Sequence, residues 1–176
     1  MYVRSVVFIL GMIVVSARPS IAQESSQVGL TMAFPGAVGV IWHATDGTAI
    51  RPDFTFSQSG SSPLSTSSTA VGVGASALFY IRKWDSLRAY LSPRFGYQRS
   101  SFTTAGSLVS SPSTNTYAGS GSLGAEYLLH RRFAVYAETG LMYSHTKTSN
   151  ISLAISFDSS SHTWGTRAGV GAILYF

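Results

Sequence analysis

Apolar side chains recur at every second position through most of this chain. In the segments 70–81, 87–98 and 164–176, one set of alternate positions is apolar, and the other is rich in glycine, serine and arginine. This period of two, with many β-branched and aromatic residues, indicates strands rather than helices. The runs 69–83 and 87–100 contain 15 and 14 residues, whereas globular strands usually have about 5 or 6. Because a tilted membrane strand needs about 9–11 residues in the hydrocarbon alone, these lengths favour strands that cross a membrane.

The first 22 residues have the pattern of a secretory signal peptide. Arg4 precedes the apolar run 6–15, and small residues at Ser20 and Ala22 fit the usual cleavage positions. A transmembrane helix needs about 20 apolar residues, but this run is interrupted at Arg18. Cleavage leaves ten Lys and Arg against seven Asp and Glu, so the formal charge falls from +5 to +3. The sequence therefore predicts an exported domain over residues 23–176 and gives no support to a nucleic-acid partner.

The exported domain contains no further apolar stretch of helical length. Since lipid satisfies no backbone hydrogen bonds, such a chain can enter a membrane only as a closed barrel. Short turns then alternate with longer segments rich in serine, threonine and glycine, as expected for outer-membrane barrels with both termini in the periplasm. The alternation predicts eight strands, at 27–34, 38–45, 48–57, 69–83, 87–100, 116–130, 133–147 and 162–176.

Charged side chains set the register of this barrel. An arginine that faces lipid at the midplane costs about 2–4 kcal/mol, so the charges within strands are assigned to the lumen. Glu126 and Glu138 both face inward only if the intervening Arg131-Arg132 turn uses three residues or contains a bulge. Trp42 stays ambiguous, since it faces inward or outward according to the length of the next turn. The predicted lumen residues are Arg51, Asp53, Arg94, Glu126, Glu138 and Arg167.

Aromatic residues are expected near both membrane interfaces, where amphipathic rings lie at the headgroups. Two sets are predicted, one at each end of the barrel. The set near the short turns comprises Phe79, Tyr127, Phe133, Tyr175 and Phe176, and the set near the long connections comprises Phe56, Tyr97, Tyr117, Tyr143 and Trp164.

The C-terminal sequence GVGAILYF carries a family resemblance. Gly171, Leu174 and the terminal Phe176 resemble the C-terminal assembly signal of bacterial outer-membrane proteins, which the barrel-assembly machinery reads. Together with the leader and the strand pattern, the chain resembles small porin-family barrels of the OmpA/OmpX type over essentially the whole exported domain. The resemblance implies an all-β, eight-stranded antiparallel transmembrane barrel in the outer membrane, and it brings no catalytic motif.

The lumen charges admit two interpretations. A permanent polar plug is the first, because eight-stranded barrels usually fill their interior with side chains. The second is a gate whose ion pairs rearrange to open a small pore. In either case each charge needs a partner, since a buried unpaired charge costs several kcal/mol. Arg51 and Asp53 on one strand add an opposite-charge pair to the four charges on later strands.

Three other function classes were compared with the membrane barrel. A secreted lipocalin-like barrel that binds a small ligand should have a polar exterior and an apolar lumen, which is the reverse of this pattern. A lipid A-modifying enzyme would need histidine, serine and an acid together, and the candidates Ser144, His145 and His162 show no such spacing. Four scattered histidines and no cysteine give no metal or cofactor motif. We therefore expect a monomeric, non-enzymatic protein whose partners are outer-membrane lipid and lipopolysaccharide.

Overall fold

The computed structural model describes residues 28–61, 66–104, 112–152 and 155–176. The signal peptide predicted at 1–22 lies outside these residues. None of the described residues forms a helix long and apolar enough to cross a membrane. The eight predicted strands are confirmed, with bounds β1 Val28–Phe34, β2 Ala37–Thr45, β3 Thr48–Ser61, β4 Thr66–Lys83, β5 Leu87–Thr104, β6 Ser113–His130, β7 Phe133–Ser152 and β8 Ile155–Tyr175.

The strands form one closed antiparallel barrel. Each strand pairs with its sequence neighbours, and β1 also pairs with β8. The stagger of the barrel can be measured from Ala37, by moving from each residue to its pairing partner on the next strand, in both directions around the ring. One direction reaches β8 at Ser161 and the other reaches it at Gly171, ten residues further along. This stagger requires the strands to tilt strongly against the barrel axis.

The outer and inner faces of the barrel have opposite character. Large apolar side chains on the outer face are exposed on every strand, including Leu30, Val40 and Leu141. The lumen instead holds the charged and small polar residues, together with one compact apolar cluster. That cluster consists of Ile41, Ala49, Leu78, Tyr90, Ala134, Tyr136, Ile173 and Tyr175.

A β-bulge lies beside each of the three short turns that join β2 to β3, β4 to β5 and β6 to β7. The register shifts between His43 and Thr45, between Tyr80 and Arg82, and between Leu128 and His130. An extra residue in one strand reverses the facing of all residues beyond it. The bulge positions are Ala44, Ile81 and Leu129.

These bulges resolve the two open questions of register. Trp42 pairs with outward Ile50 and is itself on the outer face, with 44% of its surface exposed. Glu126 and Glu138 both face the lumen across a two-residue Arg131-Arg132 turn, because the bulge supplies the odd residue. Of the two geometries predicted for that turn, the structure has the bulge.

The wall of the barrel is lowest at β1 and β2. These strands are joined by Pro35-Gly36, where Gly36 has a φ of 74°, a left-handed conformation that favours glycine. β1 pairs with β8 as far as Val170, the partner of Phe34, and β2 pairs with β3 as far as Thr55, the partner of Ala37. Beyond these two residues, toward the long connections, the described part of β8 pairs only with β7 and that of β3 only with β4. Six strands therefore rise beyond the β1–β2 turn and leave the barrel rim low on one side.

Nine of the ten predicted interface aromatics lie on the outward-facing positions of their strands. At the end where β3–β8 extend beyond the β1–β2 turn (the long-strand end), Tyr97 and Tyr117 pack together with ring centroids 5.2 Å apart. Tyr143 and Trp164 pack there with centroids 5.0 Å apart. The prediction for Tyr175 is wrong, since its side chain faces the lumen and is 2% exposed. Alternation from Arg167 along β8 puts position 175 inward, and there its hydroxyl finds a buried acceptor.

Candidate functional site

The lumen is the candidate site, because charged side chains from five strands meet there. All six predicted lumen residues are on the inner face. Arg51 and Asp53 come from β3 and Arg94 from β5, while the other three come from β6, β7 and β8. The structure brings four of them into two ion pairs across the barrel and does not bring Glu126 or Arg167 into an ion pair with any described residue.

The central layer of the lumen is built around the ion pair of Arg51 and Glu138. Both residues are buried, with 3% and 7% of their surface exposed. The Tyr90 hydroxyl donates to Oε1 of the same carboxylate at 3.0 Å. The Arg51 guanidinium lies over the ring of Tyr136, 4.6 Å from its centroid, in cation–π geometry. This layer closes the middle of the barrel with one charge of each sign.

The second ion pair lies toward the long-strand end. Arg94 binds Asp53 with both terminal nitrogens, and its Nη2 is 2.6 Å from Oδ1. A bidentate pair of this kind fixes the orientation of both side chains. Arg167 lies beside this pair and donates from Nη1 to Ser120 Oγ at 3.3 Å. Above these two arginines the lumen opens into a cavity of about 420 Å³.

A third group of lumen residues closes the short-turn end. Glu126 is fully buried, and its two oxygens accept hydrogen bonds from the hydroxyls of Tyr80 and Tyr175, each at 2.8 Å. Since the Tyr175 proton is used there, His43 donates from Nε2 to the Tyr175 oxygen at 3.1 Å. The His43 ring also stacks on Tyr80, with centroids 5.5 Å apart.

The tyrosines and His43 are the lumen residues that the sequence reasoning missed. The signal that could have found them is parity, because Tyr90 and Tyr136 have the same phase as the inward charges Arg94 and Glu138 on their strands. On β4, Tyr80 has the phase of the small inward residues Gly74 and Ser76. Residue type alone assigns aromatic rings to the membrane interface as readily as to the lumen. The lumen assignment therefore depends on the parity of their positions along the strand. The hydroxyls of Tyr80, Tyr90 and Tyr175 supply the donors that the buried carboxylates require.

Small residues make room for the large charged and aromatic side chains that fill the lumen. A Cβ at Gly124 would overlap the ring of Tyr90, and one at Gly74 would overlap the guanidinium of Arg94. The outward glycine Gly121, on the same strand as Gly124, has open space where a Cβ would lie, with no atom within 4 Å. Glycine at positions 74 and 124 is thus a packing requirement of the charged lumen.

The candidate residues for catalysis and assembly are placed as follows. Ser144 faces the lumen, whereas His145 and its cross-strand partner His162 are on outward-facing positions. Neighbouring Ser144 and His145 therefore point to opposite faces of the wall and do not form a dyad. On the last strand, Gly171 faces inward, while Leu174 and Phe176 are exposed on the outer face.

The chain was compared with known proteins. No protein-family model and no curated protein sequence matches it. Among solved structures, it is similar to a major outer membrane protein from Thermus thermophilus, with a TM-score of 0.57, 12% identity, and coverage of 87% of this chain and 100% of that one. It also matches Ail, the attachment invasion locus protein of Yersinia pestis, at a TM-score of 0.46 and 13% identity over 87% and 100% of the two chains. Acinetobacter baumannii CarO matches at a TM-score of 0.42 and 10% identity over 87% and 98%.

The fold argument rests on the first of these structures and on the strand pairing. An eight-stranded antiparallel ring with this agreement is the fold of small outer-membrane β-barrel proteins. The fold implied by the family resemblance is therefore confirmed.

Proposed function

We propose that this chain is an integral protein of the bacterial outer membrane with a structural or surface-interaction role and a lumen closed by an ionic plug. One observation carries the proposal: the exposed outer face is apolar between two aromatic zones, while the inner face is charged and hydrogen-bonded. Outer-membrane barrels have this apolar band flanked by aromatic girdles. A lipocalin-like carrier of an apolar ligand would need the reverse arrangement.

The proposed orientation places the short turns and both termini in the periplasm. The strands β3–β8 then extend beyond the outer surface, and the partners of the outer wall are membrane lipid and lipopolysaccharide. Leu174 and Phe176 are exposed on the outer face at the short-turn end. In the proposed orientation this end is the periplasmic edge, where the assembly machinery would read them with Gly171. Deletion of Phe176 should reduce the folded protein in the outer membrane, whereas Phe79→Ala in the same aromatic zone should leave its amount unchanged.

Cell fractionation and gel migration test the location. We expect the protein in the outer-membrane fraction and a band that migrates faster unheated than boiled, because a closed barrel resists detergent at room temperature. Recovery of a folded chain from the soluble periplasm would contradict the proposal. Lipid A mass spectra should be identical with and without the protein, and a new lipid A species would contradict the non-enzymatic role.

A gated small pore is the second candidate, and the Arg94–Asp53 pair favours it because it borders the outer cavity. Below it, buried Nη1 of Arg51 and the hydroxyls of Ser76, Ser92 and Ser122 have no partner among the described residues, so polar groups line the central layer. A gate predicts that Arg94→Ala or Glu138→Ala changes single-channel conductance in planar bilayers. Silent traces from the wild type and both variants would leave the permanent plug as the function of these residues.

A further inference from the structure

The cavity at the outer end of the lumen is lined by a charged residue, Arg167, that takes no part in the two ion pairs of the lumen. Of the three arginines predicted in the lumen, Arg51 is paired with Glu138 and Arg94 with Asp53. Arg167 has one hydrogen bond to Ser120 and no ion pair within the described part of the chain. A guanidinium has five N–H donors in a planar fork that matches the oxygens of a carboxylate or phosphate. The outer cavity therefore carries one unneutralised positive charge.

We propose that this cavity is a binding site for a small oxyanion, a carboxylate or phosphate group that pairs with Arg167. Its volume of about 420 Å³ lies in the range of ligand sites, about 300–1,000 Å³. Its lining includes further polar groups around the arginine. These are Thr55, Gln98, Thr116, Ser120 and Ser144.

The floor of the cavity makes the site selective for a single negative charge. Arg94 also lines it, but its terminal nitrogens are held by Asp53 at the base. A second carboxylate near Asp53 would meet repulsion from that residue, whereas one beside Arg167 restores neutrality. Below this level the buried pair of Arg51 and Glu138 closes the lumen, so a bound anion enters and leaves from the outer end.

Access to the site follows from the low wall at β1 and β2. The cavity lining includes Ala33, Phe34, Pro35 and Ala37, which belong to the ends of those strands and their turn. Phe34, at the start of the turn, pairs with Val170 on β8. Outward Trp164 is six residues farther along β8 toward the outer end. The opening between β3 and β8 thus extends from this turn up to the level of the outer aromatic zone. Either an oxyanion from the medium or the headgroup of an anionic lipid can reach Arg167 over this rim.

The test uses the folded full-length barrel in uncharged detergent micelles, with inorganic phosphate as the probe and its ³¹P NMR linewidth as the readout. Wild-type protein should broaden the phosphate line in a saturable way. Arg167→Gln should weaken the affinity about tenfold or more, the loss expected for one charged hydrogen bond. Arg131→Gln, the same charge change at the exposed short turn of the opposite end, is the matched control and should bind as the wild type does.

Further variants and outcomes separate the site from other causes. Ser144→Leu fills the cavity and keeps every charge, so it should also abolish broadening, which covers a failure of Arg167→Gln to fold. No saturable broadening by the wild type, or equal broadening by the wild type and all three variants, would overturn the proposal.

A second arm identifies the source of the oxyanion. Micelles with added phosphatidylglycerol should abolish phosphate broadening if a lipid headgroup occupies the cavity, and zwitterionic phosphatidylcholine should not. Persistence of broadening with both lipids assigns the site to free oxyanions. Because these measurements need only the folded barrel in detergent, they give the same result wherever the protein resides in the cell, so failure here is distinct from failure of the proposed location.

Discussion

At the scale of single residues, the lumen shows how ionisable groups are retained away from bulk water. Arg51 and Glu138 pair with each other, Tyr90 donates a hydrogen bond to the carboxylate, and the guanidinium lies over the Tyr136 ring. Glu126 has hydroxyl donors instead of a cation. A buried pair gives little net stability over apolar residues of the same shape, but one partner left alone is costly. The plug is therefore sensitive to the loss of either member.

Replacement of Glu138 by leucine should destabilise the barrel by about 3–5 kcal/mol, because Arg51 is left buried without a counter-ion. The double variant Arg51→Met/Glu138→Leu should recover most of that loss. Urea unfolding of the protein refolded into lipid vesicles measures both. Asp85→Asn at an exposed turn is the control and should stay within about 0.5 kcal/mol of the wild type. A double variant as unstable as the single one would contradict this account.

Two glycines on β6 separate packing from strand propensity. Gly124→Val should lower the free energy of unfolding by about 1–3 kcal/mol, because the new side chain occupies the space of the Tyr90 ring. Gly121 is three residues away on the outer face, and a Cβ there meets no atom within 4 Å, so Gly121→Val should leave stability unchanged or slightly higher. The same urea titration compares them, and equal losses in the two variants would show that lumen packing is not the cause.

At the scale of strands, the sequence predicts the short-turn ends well and the opposite ends poorly. The predicted bounds 48, 83, 87, 130 and 133 coincide with the observed ones, whereas β3, β5 and β7 continue four or five residues beyond their predicted ends. Within the apolar band the alternation of apolar and polar residues marks each strand. Beyond that band most residues on both faces are serine and threonine, so little periodicity remains in the sequence although backbone pairing continues.

The lumen could be predicted in membership but not in pairing. Parity along each strand places the six charges inward, because it is a local property of the chain. Which charges meet depends on the stagger accumulated around eight strands, and on bulges such as the one at Ile81, which the sequence does not mark. Arg51 and Asp53 are neighbours on β3, yet each pairs with a residue of another strand. Only the closed ring brings those partners together.

Deletion of Leu129 tests the role of a bulge in register. Without the extra residue, the two-residue turn would place Glu138 on the lipid face and break its pair with Arg51. We expect the deletion variant to lose the fast-migrating unheated form. Leu129→Ala keeps the residue count and should retain that form. Normal heat-dependent migration of the deletion variant would show that the turn absorbs the change.

At the scale of the whole molecule, the outer and inner faces of the barrel suit different surroundings, the outer face an apolar one and the inner face a polar one. The apolar residues that would form the core of a soluble protein lie mostly on the outside, and the buried cluster among the described residues contains only eight. Stability in water would then be poor, because so much apolar surface is left exposed. Between lipid chains the same surface is matched to its surroundings, and the closed ring leaves no hydrogen-bonding edge in the region where all eight strands pair.

The position of the lipid along the barrel gives a direct prediction. Trp164 lies in the outer aromatic zone, whereas outward Leu123 on β6 lies between Tyr117 and Tyr127 of the two zones. We compare two single-tryptophan proteins: one keeps Trp164 with Trp42→Phe and Trp84→Phe, and the other carries Leu123→Trp with all three native tryptophans changed to phenylalanine. In vesicles, bromines near the lipid glycerol should quench Trp164 most, because indole rings prefer the headgroup level. Bromines deep in the chains should quench the Leu123→Trp protein most. Equal depth profiles, or no quenching of either protein, would mean that the apolar face does not lie in the membrane as the two aromatic zones indicate.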